Sequence, residues 1–230
     1  MLAAMISDAH LQGLDDPAQA GFVALLDGLE ADHLYLLGDL FHFWWGFRGA
    51  VFSEFVPALA ALHRVARRGI PITYVPGNHD FALGPFFTEE LGVTVSSKVE
   101  VTLGGRRFLM VHGDEADTSL SYAVTRAVLR GPAFAALMRL AGPAGSRRIG
   151  LKLAGASRDH GGDPSPLVEA QKAWAAPHLR GGVDVVVVGH SHKPGITPLE
   201  GGRFVNLGDF HHHRTWLAVG EEELELRRWG

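Results

Sequence analysis

Ile70-Pro71-Ile72-Thr73-Tyr74-Val75-Pro76-Gly77-Asn78-His79-Asp80 is an apolar run that ends in a Pro-Gly turn and then presents an amide, an imidazole and a carboxylate. Those three groups have little packing use, and the C-terminal end of a strand is where open α/β sheets place ligands. On its own the tetrapeptide 77–80 says little, because Asn and Gly are ordinary turn residues. The same pattern occurs four more times. Ala3-Ala4-Met5-Ile6 runs into Asp8-Ala9-His10, and Leu34-Tyr35-Leu36-Leu37 runs into Gly38-Asp39. Phe108-Leu109-Met110-Val111 leads to His112-Gly113-Asp114, and Val185-Val186-Val187-Val188 leads to Gly189-His190-Ser191-His192. A core would not bear the desolvation of so many unpaired polar groups, so the five strand ends read as one site.

Working outward, strands alternate with helices up to Gly77, which indicates βαβ units and a parallel sheet. Residues 18–29 read as a helix with Phe22, Leu25, Leu26 and Leu29 on one face, started by Asp16-Pro17. Residues 51–68 read as a second, with Phe52, Phe55, Leu59, Leu62 and Val65 in helical spacing. Between them lies an aromatic loop over 41–47, either packed over the sheet edge or facing substrate. From Val99 the pattern changes to hairpins, 99–103 with 106–111 about Gly104-Gly105, and 195–199 with 203–207 about Gly201-Gly202. Two more strands follow at 215–219 and 224–229, after a helix at 167–179. Parallel units followed by hairpins suggest a two-sheet core with helices outside.

The segment 119–162 differs in character. Arg126, Arg130, Arg139, Arg147, Arg148, Lys152 and Arg158 face Asp159 alone, and short helical stretches break at Gly131-Pro132 and Gly142-Pro143. It reads as a small helical cap inserted into a single domain spanning 1–230. Either these helices cover a minor core of their own, or they suit a substrate with negative charge and apolar chains, or an anionic membrane surface.

Composition narrows the function classes. The 230 residues are 47% hydrophobic and carry a net charge of -4, without the basic footprint expected of a nucleic-acid binder. The chain has no cysteine, which removes disulfides and thiolate metal sites. No run approaches the ~18 apolar residues of a membrane span. The expected setting is the cytoplasm, with a peripheral place on the inner membrane's cytoplasmic face open to it. No feature of the sequence specifies an oligomeric state.

The candidate ligands Asp8, His10, Asp39, Asn78, His112, His190 and His192 offer carboxylate, amide and imidazole donors with no sulfur. That mixture suits Mn²⁺, Fe²⁺, Zn²⁺ or Mg²⁺. Seven ligands exceed what one catalytic ion needs but suit two ions sharing one bridging carboxylate. His79, surplus to that count, could donate a proton to a leaving group or bond a phosphate oxygen, with Asp80 orienting it. His33 and His63 read as helix or loop histidines, and His211-His212-His213 as a polar loop.

The set Asp8-x-His10, Gly38-Asp39, Gly77-Asn78-His79-Asp80, His112 and Gly189-His190-x-His192 resembles the calcineurin-like metallophosphoesterases over almost the whole chain. The resemblance implies a four-layer α/β/β/α sandwich with Asp8, His10, Asp39 and His192 on one metal. The other would take Asp39, Asn78, His112 and His190, with Asp39 bridging and catalytic. The stretches 38–44, 78–84, 189–194 and 206–209, and the basic insertion after Asp114, are similar to the lipid A branch of that family. That branch implies a hydrolase that splits the pyrophosphate of a lipid nucleotide by water attack, usually with Mn²⁺. Substrate contacts would then come from Asn78, His79, Tyr122, Arg147, Arg148 and Lys152. Well-known members carry Arg where this chain has His79. The alternatives are a phosphodiesterase for a nucleotide or other small phosphodiester, and a non-catalytic scaffold, which would be expected to have lost ligands.

Overall fold

The computed structural model describes residues 1–158 and 163–230. The first half runs β1 (Ala3–Ile6), α1 (Pro17–Asp27), β2 (Leu34–Leu36), β3 (Trp44–Trp45), α2 (Val56–Arg67), β4 (Ile72–Tyr74), β5 (Asp80–Ala82) and β6 (Thr94–Val95). The hairpin β7 (Val99–Leu103) and β8 (Arg106–Met110) leads to α3 (Leu120–Leu129), α4 (Pro132–Arg158) and α5 (Ser165–Arg180). Strands β9 (Val185–Val188), β10 (Gly195–Leu199), β11 (Gly202–Asn206), β12 (Thr215–Val219) and β13 (Leu224–Arg228) complete it.

Two large sheets form, in the orders β13-β12-β1-β2-β4-β6 and β10-β11-β9-β8-β7, beside a two-stranded pair of β3 with β5. Strand alternation sorts the side chains into layers. Ala3, Met5, Tyr35 and Leu37 of the first sheet meet Phe108, Met110, Val185 and Val187 of the second in the central core. Ala4, Ile6, Leu34 and Leu36 point the other way, onto Phe22, Leu25, Leu26, Leu59, Leu62 and Val65 of α1 and α2. Leu109, Val186 and Val188 pack outward on Val168, Ala175 and Leu179 of α5. The result is the expected α/β/β/α sandwich. Strands β1, β2 and β4 are parallel, as are β8 and β9, so their C-terminal ends gather on one rim.

Two elements differ from the sequence reading. The aromatic stretch is not an irregular loop: Trp44–Trp45 forms β3 and pairs in parallel with β5. Phe41, Phe43, Trp44 and Trp45 are all buried, so the stretch is a packed wall and not a substrate-facing one. Helix α2 starts at Val56, five residues late, after a 3₁₀ turn at Ser53–Phe55; Pro57 fits its first turn, where no N–H donor is needed.

The insertion breaks after α3 and again at Gly142, where φ 64° and ψ -178° precede Pro143. Among the described residues it closes on no core of its own. Phe134 packs on Trp45 and Phe81, with ring centroids 6.1 and 5.7 Å apart, and Met138 joins the core under the aromatic wall. The expected end of the cap at 162, and Asp159 with it, lie outside the described residues.

Candidate metal centre

The seven candidate ligands converge on the rim. Ligand atoms of Asp8, His10 and His192 lie within 4.8 Å of one another, as do those of Asp39, His112 and His190. Asn78 joins the second group, its Oδ1 being 3.2 Å from Nε2 of His112. Asp39 stands between the groups, with Oδ2 3.5 Å from His112 Nε2 and 3.9 Å from His10 Nε2.

The backbone is strained where these side chains leave it. Asp8, His10, Asp39, His190 and His192 all have φ between 42° and 67°, and Arg214 is the sole other non-glycine residue with positive φ among the described residues. Each such residue costs on the order of 1–2 kcal/mol, which a fold concentrates at functional sites. Close approach of the loops requires glycine. A Cβ at Gly38 would stand 2.7 Å from the backbone of Gly77, and one at Gly77 would collide with Oδ1 of Asp39.

The His112 imidazole is oriented by the backbone. His112 Nδ1 lies 2.8 Å from the carbonyl oxygen of Leu37, so it carries the proton and Nε2 faces Asp39. Burial opposes charge on His112, yet Asp39, Asp8 and Asp114 raise its pKa well above the usual histidine value. Burial also opposes charge on His192, where Asp8 raises the pKa. His10 goes well below the ordinary value through burial, helped by His79 and His192. His190 is pushed down to about 4 by burial and His112. Both carboxylates stay ionised despite burial, Asp39 through His112, His79 and His10, and Asp8 chiefly through His192.

The donor set fits divalent ions. Asp8 Oδ1 is buried 3.2 Å from His192 Nε2 and makes no hydrogen bond. Nε2 of His10 and Nε2 of His192 face each other at 3.1 Å. An orphaned carboxylate oxygen beside two converging imidazole nitrogens is the arrangement an ion would complete.

Asp80 does not orient His79. Its Oδ2 accepts from the backbone N–H of Asp39 at 2.7 Å and of Gly77 at 3.0 Å, and its Oδ1 accepts from Tyr74 Oη at 3.0 Å. It thereby ties two ligand loops together, and burial next to Asp39 raises its pKa to about 6. His79 instead donates from Nδ1 to the carbonyl oxygen of His42 at 2.8 Å, leaving Nε2 bare when the ring is neutral. His42, taken in sequence as part of the aromatic stretch, forms with His10 and His79 a third trio of converging ligand atoms.

The proposed substrate contacts separate. Tyr122 donates to Asp114 Oδ2 at 2.7 Å, with its ring 5.8 Å from that of His190. Arg147 is paired with Glu54 instead, while Arg148 and Lys152 are exposed. Arg126 and Arg130, which the sequence reading did not single out, sit beside Tyr122 on Asp114. Their spacing, four residues apart from Tyr122 onward, was the available signal. The triple-histidine loop is a capped turn, its His212 and His213 N–H groups donating to Asp209 Oδ1.

Behind the ligand loops Gln171 of α5 is fully buried. Its Nε2 donates to the carbonyls of Gly113 and Gly189 at 3.2 and 3.0 Å, and its Oε1 accepts from Ser191 and Asn206. Replacing Gln171 with Leu removes four buried hydrogen bonds, for a loss of about 2–4 kcal/mol. The melting temperature should fall by roughly 5–15 °C. Scanning calorimetry measures this, and an unchanged melting point would show that the network does not hold these loops.

A calcineurin-like phosphoesterase superfamily domain model matches residues 1–135. Three relatives are similar over nearly their whole length, each bearing the name UDP-2,3-diacylglucosamine hydrolase. That of Xanthomonas campestris pv. campestris is 34% identical, with 99% of both chains covered. That of Pseudomonas putida is 32% identical over 96% of both, and that of Yersinia pseudotuberculosis 29% over 98% of both.

Proposed function

The chain belongs to the calcineurin-like phosphoesterase superfamily, and from that premise we propose that it is a dinuclear-metal hydrolase cleaving the pyrophosphate of UDP-2,3-diacylglucosamine to UMP and 2,3-diacylglucosamine 1-phosphate. The substrate is supported by the names of relatives that match it end to end. The chemistry rests on one observation above the others: five of the ligand candidates adopt a strained left-handed backbone at the ends of different strands. None of the ligands is missing, which weighs against a non-catalytic scaffold.

Asp8, His10, Asp39 and His192 would hold one ion, and Asp39, Asn78, His112 and His190 the other; we take Mn²⁺ as the ion, from the oxygen and imidazole donors. When bound, such a pair polarises a phosphoryl oxygen and brings the pKa of bound water from 15.7 towards about 7. The chain's own groups supply the rest. His79, fixed by the carbonyl of His42, can donate from Nε2 to a phosphate or leaving-group oxygen when protonated and accept a proton there when neutral. Asp80 keeps the backbone N–H groups of Gly77 and Asp39 in place.

The cap suits a substrate that is charged at one end and apolar at the other. On α3, Tyr122, Arg126 and Arg130 form one face, and Leu120, Val124 and Val128 another about 200° round the helix. The first face rests on the metal centre; the second is 54–79% exposed. On α4, Leu137 and Leu140 are exposed as well, and so are Arg139, Arg148 and Lys152. This combination suits acyl chains and an anionic lipid surface, and so a peripheral place on the cytoplasmic face of the inner membrane. No described helix is long and apolar enough to cross a membrane.

With Mn²⁺ added, turnover of UDP-2,3-diacylglucosamine is expected to exceed that of a small aryl phosphodiester by about 100-fold or more in kcat/KM, since remote binding energy is spent at the reacting centre. Activity on the aryl ester alone would keep the metal chemistry and discard the lipid nucleotide.

A further inference from the structure

Seven basic residues lie in the inserted segment, and the fold brings two of them to the metal centre. Tyr122, Arg126 and Arg130 are four residues apart, so they share one face of α3 and its C-terminal turn. That face is anchored on Asp114, which is buried two residues after His112. Oδ2 of Asp114 accepts from Tyr122 and lies 3.3 Å from Arg126 Nε and 3.7 Å from Arg130 Nη2. Nη2 of Arg130 also donates to the carbonyl oxygen of Gly77 at 3.4 Å, one residue before Asn78. The face therefore touches the loops that carry Asn78 and His112, with Tyr122 against the ring of His190.

Two guanidiniums share one carboxylate, so among the described residues one positive charge at the mouth of the site has no ion-pair partner of its own. Nη1 and Nη2 of Arg126, and Nε and Nη1 of Arg130, have no hydrogen-bond partner among the described residues. Both side chains remain open to solvent, at 34% and 40%. Half-buried, oriented forks with donors to spare are the geometry by which arginine takes phosphate oxygens in pairs. His79 cannot supply the same contact permanently, because Nδ1 is spent on the carbonyl of His42.

We infer that Arg126 and Arg130 bind the second phosphoryl group of a diphosphate diester, the one outside the metal pair, and so select diphosphate-linked substrates over simple phosphodiesters. The inference rests on the hydrolase reading above and deepens it. A phosphodiester has no group to place there; a nucleoside diphosphate ester does. The competing role, a purely structural anchor for α3, would affect every substrate alike.

The experiment compares wild type with Arg126→Gln, Arg130→Gln and the double variant, all Mn²⁺-loaded. The substrates are UDP-2,3-diacylglucosamine, a lipid-free UDP-sugar and an aryl phosphodiester. Loss of kcat/KM on whichever diphosphate diester the wild type cleaves should exceed the loss on the aryl ester by at least about tenfold in the double variant. Binding gives a readout apart from turnover: by calorimetry, methylene diphosphonate should bind the double variant about tenfold more weakly than wild type. Should the Gln variants fail to fold, Arg126→Lys with Arg130→Lys keeps the charge on Asp114 and loses the fork, and should show the same selective loss, only smaller. Equal losses on both substrate types, wild-type behaviour of the Lys pair, or undiminished diphosphonate affinity would overturn the inference. Wild-type activity on the UDP-sugar without activity on the lipid nucleotide would defeat the lipid reading, and the variants' losses on the UDP-sugar against the aryl ester would then uphold or overturn the arginine inference. Wild-type cleavage of the aryl ester alone would overturn both.

Discussion

Asp39→Ala is expected to lower turnover on any phosphate ester by about 10³–10⁵-fold, the scale seen when a group on which a whole catalytic unit depends is removed. Asp39 follows β2 at φ 53° and is nearly inaccessible to solvent. Its Oδ1 accepts from the backbone N–H of His79 at 2.8 Å, and its Oδ2 faces His112 on one side and His10 on the other. It is the carboxylate placed to serve both clusters, and despite burial the surrounding imidazoles keep it ionised. Removing it deletes a proposed ligand of both clusters and leaves His112 and His10 without their shared counter-charge. Asn is the sharper substitution, because it keeps the shape and tolerates a left-handed backbone. Asp39→Asn should still fold, with near-wild-type circular dichroism, and should retain less than two metal equivalents by mass spectrometry. Near-normal turnover with two ions per chain would sink the bridging assignment.

The parts of this structure written locally were legible in sequence, and those that depend on two distant loops meeting were not. Strand ends could be read because each is a short apolar run followed at once by its candidate ligands, and five of them repeated one rule. The two-layer alternation of β1, with Ala3 and Met5 inward and Ala4 and Ile6 outward, follows from a period of two. The pairing of β3 with β5 was hidden: each strand is two or three residues long and makes sense only when the other is beside it. For the same reason Asp80 looked like a partner for the adjacent His79. In the fold its carboxylate turns to the N–H of Asp39, 41 residues away, and His79 turns to the carbonyl of His42. Charge counting found a basic cap but chose Arg147, which pairs with Glu54 of the layer below. What separates it from Arg126 is the register of α3 on Asp114, which no tally of charges contains.

Gly189→Ala should cost about 100-fold in turnover, the scale of a displacement near 1 Å at a catalytic group, while leaving the fold intact. The constraint at Gly189 is space, not backbone angle, since its φ is not in the left-handed region. A Cβ there would overlap Oδ2 of Asp8 and stand 2.7 Å from Oγ and 2.8 Å from Cβ of Ser7, closer than any of them can tolerate. Asp8 cannot yield easily. Its Oδ2 accepts from the N–H of His190 at 2.9 Å, so the carboxylate that offers Oδ1 to an ion also holds the loop bearing His190 and His192. Pushing either away disturbs both clusters at once. Relaxation should cost about 1–3 kcal/mol of stability, measurable in urea, with a clear loss of metal affinity. Gly195 is the control six residues on: a Cβ there meets nothing within 4 Å, and Gly195→Ala should turn over like wild type. Equal, undiminished activity in both variants would mean that Asp8 is not held at an ion by this loop. Loss at Gly189 alone would show that packing of the loop after β1 against the loop after β9 sets the ligand geometry.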